Sequence, residues 1–228
     1  TPLAVRLVPL LFGLISIFFS YRLVLLITRN SQLSTYSALV LSLTPWHIHY
    51  SRVAFELTLL LTLILAATYF FYQNKITFSA FLFGLTFYTY NIANIFTPLL
   101  MLFLIFSTTK QKYLKPFLVF GIMLLPLGNS LLFGRASNRF GLISIFNDPK
   151  NIYQIIDNRT DFSSNHDRSE TIFHNKLESF TFTFVGNYLN ALSPSFYFGA
   201  GDTNPRQQTP QTTLFLLPLI IPFFTGIF

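Results

Sequence analysis

The stretch PWHIHYSRVAFE, residues 45–56, places two histidines, an arginine and a glutamate between two apolar segments. Its last residue, Glu56, is the only acidic residue among the first 147 positions. Ionisable side chains close to hydrocarbon are costly, and they usually mark a polar cavity or a functional site. We therefore expect this stretch to determine how the chain folds and where its site lies.

The composition around this stretch is that of a membrane protein. The 228 residues are 52% hydrophobic and 18% aromatic, and only 10% are charged. A soluble domain would carry about a quarter charged residues. The chain contains no cysteine, which excludes disulfides and thiol chemistry. The composition predicts an all-α polytopic membrane protein.

Apolar runs separated by polar turns alternate along the chain. A full span needs about 20 residues, and several runs are shorter. We predict six transmembrane helices in residues 1–133, an extracytoplasmic and partly helical loop region at 134–212, and the start of a further span at 213–228. The predicted runs cover residues 5–28, 33–46, 53–72, 76–90, 95–107, 116–133 and 213–228. Because the chain begins and ends within this pattern, we expect a fragment of a longer protein.

The distribution of Lys and Arg predicts the orientation. Bases gather in alternate turns, at Arg29, Lys75 and 110–115, which indicates a cytoplasmic position. The other short turns, 47–52 and 91–94, then face outward, as does the charge-balanced segment 134–212; the alternative is the inverted topology. The excess bases behind the net charge of +7 lie at the ends of predicted spans. They therefore indicate the orientation of the chain in the membrane, and we expect no nucleic-acid partner.

Short predicted spans place both outward turns below the membrane surface. A helix of about 14 residues covers about 21 Å, whereas the hydrocarbon core measures about 30 Å. Irregular backbone at that depth requires protein or water around it. We expect the turns 47–52 and 91–94 to line a cavity that opens to the outside.

The first turn contains four candidate site residues. Arg52 is suited to a phosphate or carboxylate, with Glu56 orienting it or contacting a substrate hydroxyl. The alternative is a self-neutralising pair four residues apart at the start of a helix. We expect His47 and His49 to lie in an extended turn and to act as hydrogen-bonding groups. The alternative is that both bind a divalent metal together with Glu56.

Further candidates lie in three other segments. The recessed turn with Tyr90 and Asn91 could hold polar ligand groups or a sugar, or form an aromatic belt. Arg135 and Arg139 follow the sixth span, where they form either a lipid-phosphate site or ordinary solvated bases. Asp202, Asn204 and Arg206 precede the last span, in a turn that contains one acid–base pair.

An amphipathic helix is predicted inside the segment 134–212. Asp167 and Glu170 resemble a capping box, and Phe173 to Tyr188 carry apolar residues at helical spacing. Such a helix could lie on the membrane surface or pack on the bundle.

Taken together, these stretches resemble the GT-C type of bacterial membrane glycosyltransferases, the group of protein O-mannosyltransferases and aminoarabinose transferases. The first outer turn carries most of the resemblance, together with the loop GDTNPR at 201–206 followed by Pro210. The segments YTYNIAN at 88–94 and GRASNRF at 134–140 agree less specifically. The similarity covers essentially the whole chain.

The resemblance implies transfer of a sugar from a polyprenyl-phosphate donor to a lipid, glycan or protein acceptor at the outer face of the cell membrane. In such enzymes an acidic residue of the first outer loop is the general base. Residues 1–6 are similar to the tail of that loop, so we expect the base upstream of Thr1. Arg52 then fits a carrier-phosphate or structural role, and Glu56 is a poor candidate for the base. Gln207 stands where relatives often carry histidine.

The resemblance implies no definite cofactor and leaves a divalent metal open. The alternative function is non-enzymatic: a lipid-linked sugar flippase or a polysaccharide export protein. A transporter should carry polar residues along a whole pathway, whereas here they gather on one side. The sequence contains no P-loop, GxSxG or dinucleotide-binding motif.

Overall fold

The computed structural model describes residues 2–53, 55–107, 114–133, 153, 176–199 and 213–225. Within these ranges all regular secondary structure is helical, which confirms the all-α prediction. The chain divides into two compact units. The first comprises residues 1–127 and 201–228, and the second comprises residues 128–200.

Seven helices run in order through the first 133 residues, and a short helical segment completes the first unit near the C-terminal end. The seven are α1 (Pro2–Thr28), α2 (Ser31–Leu43), α3 (Pro45–Arg52), α4 (Leu57–Tyr72), α5 (Ile76–Thr86), α6 (Ala93–Phe106) and α7 (Leu114–Phe133). In the second unit lie α8 (Lys176–Leu192) and α9 (Pro194–Phe198). The later segment of the first unit is a 3₁₀ turn (Leu217–Leu219) that continues into α10 (Ile220–Thr225).

Tight turns with local caps reverse the chain on the side of the predicted cytoplasmic loops. Asn30 caps α2, and its side-chain oxygen accepts from the backbone N–H groups of Gln32 and Leu33. Arg29 and Asn74 adopt positive φ angles of 55° and 61°, which let the backbone reverse within two or three residues. These turns allow α1 to pack on α2, and α4 on α5.

Helix α1 is the centre of the packing in the first unit. It contacts α2, α3 and α4, while α4 also packs against α5. Ala67, Phe71, Phe83 and Leu104 form a buried apolar cluster between α4, α5 and α6. Many buried side chains of these helices carry hydroxyl groups. Such groups are common where membrane helices approach closely. The buried hydroxyl residues are Ser16, Ser20, Ser34, Thr58, Thr62, Ser79, Thr86 and Thr97.

One helix in the described part of the chain, Val5–Thr28 within α1, is long and apolar enough to cross a membrane. The pair α3 and α4 passes the same test only if taken together, and their axes differ by 116°. The shorter apolar helices are Ile76–Thr86, Ala93–Phe106 and Leu118–Asn129. The all-α class is therefore confirmed within the described residues, whereas the crossing of a membrane by the predicted runs stays a prediction.

Two predicted boundaries are wrong. Residues 47–52 are not an extended turn, because Pro45–Arg52 form a helix. The run 76–90 does not stay helical to its end: α5 stops at Thr86, and residues 87–92 form the turn into α6. Neither the presence of α3 nor the end of α5 at Thr86 follows from the apolar content of the sequence.

In the second unit, α8 covers the part of the predicted amphipathic helix that the structure describes. Its apolar side is exposed at Leu177, Phe184 and Tyr188, and the last two rings stack with centres 6.3 Å apart. The predicted capping residues Asp167 and Glu170, and Phe173, lie outside the described residues.

Candidate functional site

Helix α3 carries the polar stretch, and its start is fixed by the local sequence. Thr44 is the single residue between α2 and α3, and it is extended, with φ −65° and ψ 123°. Its hydroxyl donates to the Val40 carbonyl at 2.6 Å, closing α2. Pro45 follows in the first turn of α3. Proline has no backbone N–H, but an N–H at this position would have no partner within the helix, and the fixed φ of proline favours the helical conformation. The sequence therefore begins a second helix where a turn was predicted.

The buried face of α3 packs against small residues of α1. The His47 ring is 3% exposed, and its Nε2 lies 2.9 Å from the Ser16 hydroxyl, which itself donates to the Gly13 carbonyl at 2.7 Å. Ser51 donates to the His47 carbonyl at 2.7 Å. A Cβ on Gly13 would overlap Ser51 Oγ, so the approach of the two helices depends on this glycine.

This contact lies halfway along α1. At about 1.5 Å per residue, Ser16 is about 17 Å from Val5 along the axis of the Val5–Thr28 segment. His47 is therefore level with the middle of the one described helix that is long and apolar enough to cross a membrane. The depth of the segment 47–52 in a membrane stays a prediction, and its backbone is helical.

A cluster of aromatic rings surrounds Tyr50 in α3. The Tyr50 ring is 4% exposed and packs edge to face against Trp46, His49 and Phe55, with ring centres 5.7, 5.3 and 5.6 Å apart. Within this cluster His49 Nε2 is buried and has no hydrogen-bond partner among the described residues. A buried polar atom in this state costs about 1–3 kcal/mol, so a ligand that bonds to it would gain that amount.

Arg52 and Glu56 do not form the pair that their spacing permits. Arg52 ends α3, whereas Glu56 precedes α4, so the two are not on one helix and the prediction of a shared helical face is wrong. Both side chains are exposed, and no ion pair joins them within the described ranges. The break between α3 and α4 leaves a guanidinium and a carboxylate free to contact other groups.

Glu56 lies at a groove between the first turns of α4 and the start of α1. The groove has a volume of about 180 Å³, and Val8, Phe12 and Phe55 contribute apolar wall. Thr58 also lines it, and the buried Thr58 Oγ1 has no partner in the described part of the chain. The groove thus combines apolar walls with a carboxylate and an unsatisfied hydroxyl.

Tyr90 and Asn91 lie in the turn 87–92, Tyr90 half-buried and Asn91 exposed. The turn is anchored below by buried Thr86 and Thr97, whose hydroxyls are 2.8 Å apart. Between described residues, no hydrogen bond or ring contact connects Tyr90 or Asn91 with His47, His49 or Arg52. The structure therefore does not bring the two predicted outer turns into direct contact.

The remaining predicted site residues, Arg135, Arg139, Asp202, Asn204 and Arg206, lie outside the described residues. The chain after the predicted loop 201–206 does return to α3. The Trp46 backbone N–H donates to the Leu214 carbonyl at 3.2 Å, and Leu214 is buried. This bond satisfies one of the free N–H groups in the first turn of α3.

No group of three metal-binding side chains is present among the described residues. His47 Nε2 is directed at Ser16, and the helical backbone places His49 on a different side of α3. Within the described residues, His47, His49 and Glu56 therefore do not form a group that could hold a metal ion.

Sequence reasoning missed Gly13, Ser16 and Thr58. Gly13 and Ser16 are three residues apart and so lie on one side of α1, and small residues are typical of helix interfaces in membranes. That spacing was available in the sequence. The sequence did not show that α3 packs against Gly13 and Ser16, because the two helices are distant in the chain.

Comparisons with protein-family models, with curated proteins and with solved structures found no match for this chain.

Proposed function

We propose that the chain is part of a GT-C type glycosyltransferase of the cell membrane. It moves a sugar from a polyprenyl-phosphate donor to a lipid, glycan or protein acceptor at the outer face. In this proposal the chain is multi-pass, and residues 134–212 are extracytoplasmic. The acceptor hydroxyl or amine attacks the anomeric carbon, the bond from that carbon to the phosphate oxygen breaks, and the leaving polyprenyl phosphate keeps the electron pair. The acceptor proton goes to a base that we expect upstream of Thr1.

One observation carries the proposal: a short polar helix packs halfway along α1, the described helix that is long and apolar enough to cross a membrane. His47 is buried against Ser16 in the middle of α1, and the exposed Arg52 follows on the same short helix. A donor with its isoprenoid tail in the bilayer needs polar groups of this kind below the membrane surface.

The exposure of α1 supports the membrane location. Only 17% of the apolar window in Val5–Thr28 is buried, and large apolar side chains such as Leu14 and Phe18 are more than half exposed. The core helix of a soluble protein would be mostly buried. Contact with lipid would remove this apolar surface from water.

Arg52 is assigned the leaving phosphate. A guanidinium binds phosphate oxygens with two parallel hydrogen bonds, and a fixed cation stabilises the charge that develops there. Glu56, which is exposed at the groove, is the candidate for contact with a sugar hydroxyl. Tyr90 and Asn91 are assigned to a separate part of the cavity.

The proposal is tested with the complete protein in membranes and a radiolabelled polyprenyl-phosphate sugar. Arg52→Gln should lower the transfer rate by about 100-fold, the effect typical of losing one stabilising donor. The matched control is Arg29→Gln, which removes one exposed positive charge from a turn on the other side of the bundle and should leave the rate unchanged.

Undiminished transfer by Arg52→Gln would refute the role of Arg52. Absence of transfer by the wild-type protein, with the labelled donor appearing on the other membrane face, would favour the flippase alternative. Thermal unfolding of both variants in detergent verifies that they fold.

A further inference from the structure

A second polar cluster lies at the far end of α4 from Glu56. A terminal nitrogen of Arg22 in α1 donates to the Tyr69 hydroxyl at 2.9 Å, and Gln73 Nε2 donates to the same oxygen at 2.6 Å. The guanidinium carbon also lies 5.7 Å from the Tyr69 ring centre and 6.0 Å from that of Phe18. Tyr69 is only 6% exposed whereas Arg22 is exposed, so the buried tyrosine holds one side of the guanidinium and the rest faces outward.

This cluster contains more hydrogen-bond donors than acceptors. A guanidinium offers several N–H groups and accepts none, and a tyrosine hydroxyl keeps its own proton when it accepts. Within the described ranges, the Tyr69 oxygen is the one acceptor that Arg22 and the Gln73 amide share. The remaining N–H groups of Arg22 and the Tyr69 proton therefore need an acceptor from elsewhere.

The charge balance of the first 147 residues points the same way. Their only carboxylate, Glu56, is at the opposite end of α4. A second cation is close, since Lys75 Nζ lies 5.7 Å from the Phe70 ring centre, and that ring packs edge to face on Tyr69 at 5.3 Å. Two cations thus rest on neighbouring rings, and no acid from this part of the chain is beside them.

We propose that this cluster, hereafter the Arg22 cluster, binds the phosphate of an anionic phospholipid. The proposal rests on the proposed placement of α1 and α4 in a membrane, and it does not require sugar transfer. Arg22 is about 9 Å from the end of α1 at about 1.5 Å per residue, within the apolar Val5–Thr28 segment. The exposed Phe18 beside it offers an apolar surface to an acyl chain. A phospholipid brings both groups to this depth, which free phosphate does not.

The experiment is a titration of the purified full chain in neutral detergent with phosphatidylglycerol, followed by native mass spectrometry. Arg22→Gln should weaken binding about tenfold, which corresponds to the loss of about one charged hydrogen bond. Arg29→Gln is the matched control: it removes the same charge near the same end of α1, from a side chain without a fixed partner in the described residues. It should change binding by less than about twofold on the same scale.

Gln73→Glu provides a second test, because it places a carboxylate within reach of Arg22 and should displace the lipid without removing a cation. Equal weakening by Arg22→Gln and Arg29→Gln would overturn the proposal in favour of diffuse charge attraction. Equal binding of phosphatidylcholine would overturn the preference for anionic lipid, and equal binding of inorganic phosphate would overturn the lipid assignment. Since no sugar donor is present, failure of the proposed transferase activity leaves this result unaffected.

Discussion

Helix α3 and the turn 87–92 stand where the outer turns 47–52 and 91–94 were predicted below the outer surface, and they differ in structure. Both separate two apolar helices. Residues 45–52 form a helix with His47 and Tyr50 buried, whereas residues 87–92 form a turn with Tyr88, Asn91 and Ile92 exposed.

The difference comes from the helices that receive each segment. Gly13 and Ser16 leave room on α1 for α3 and supply a hydroxyl for His47. Beneath the turn 87–92 lies the Thr86–Thr97 hydrogen bond between α5 and α6; Phe87 packs edge to face on Phe120, and Tyr88 donates to the Met123 carbonyl. A polar segment is therefore buried where its partner helix combines small residues with a free hydrogen-bonding group.

The largest effect is expected from filling the space between α1 and α3. Gly13→Val should lower the free energy of unfolding by about 3 kcal/mol, because the new Cβ overlaps Ser51 Oγ and overpacking has costs of this size. The measurement is a denaturant titration in detergent micelles. Gly121→Val is the control, since a Cβ there meets nothing within 4 Å. Equal stability of the two variants would show that α3 does not depend on a close approach.

A smaller effect is expected from removing the hydroxyl that faces His47. Ser16→Ala should cost about 2 kcal/mol, because it leaves a buried ring nitrogen without its side-chain partner. Ser107→Ala, at an exposed hydroxyl that donates only to its own helix, should change stability by less than about 0.5 kcal/mol in the same titration. A Ser16→Ala variant as stable as wild type would mean that water replaces the hydroxyl.

Below the turn 87–92, the corresponding substitution should matter less. Thr97→Val should cost about 1 kcal/mol, because the Thr86 hydroxyl keeps its bond to the Phe83 carbonyl. The same unfolding titration measures it. A cost greater than that of Ser16→Ala would reverse the proposed ranking of the two anchors.

The smallest effect on stability is expected within the turn itself. Asn91→Ala should change the free energy of unfolding by less than about 0.5 kcal/mol, because the side chain is exposed. In the transfer assay the same variant should be slower than wild type if Asn91 contacts the sugar. Unchanged transfer would remove Asn91 from the candidate site.

The sequence predicted the helical class and the place of the polar stretch, because apolar runs and bases at their ends depend only on local composition. It did not predict that α3 is helical. Histidines two residues apart suggested an extended turn, although Pro45 after Thr44 was a helix-start pattern. Only the structure shows that Arg52 and Glu56 are on different helices. Residues four apart share a face only within one continuous helix, and here the helix is interrupted.

Contacts distant in the sequence could not be predicted at all. The Ser16–His47 hydrogen bond, the Arg22–Tyr69–Gln73 cluster and the groove at Glu56 all depend on which faces of α1 and α4 meet. Hydrophobic periodicity does not specify these faces in helices that are apolar on every side.

The bond from the Trp46 N–H to the Leu214 carbonyl has a consequence for the timing of biosynthesis. A ribosome adding about 5–20 residues per second needs roughly 10–30 s to proceed from residue 46 to residue 214. During that interval the first turn of α3 lacks this acceptor, so the start of the polar helix is completed only after the segment around Leu214 has been synthesised.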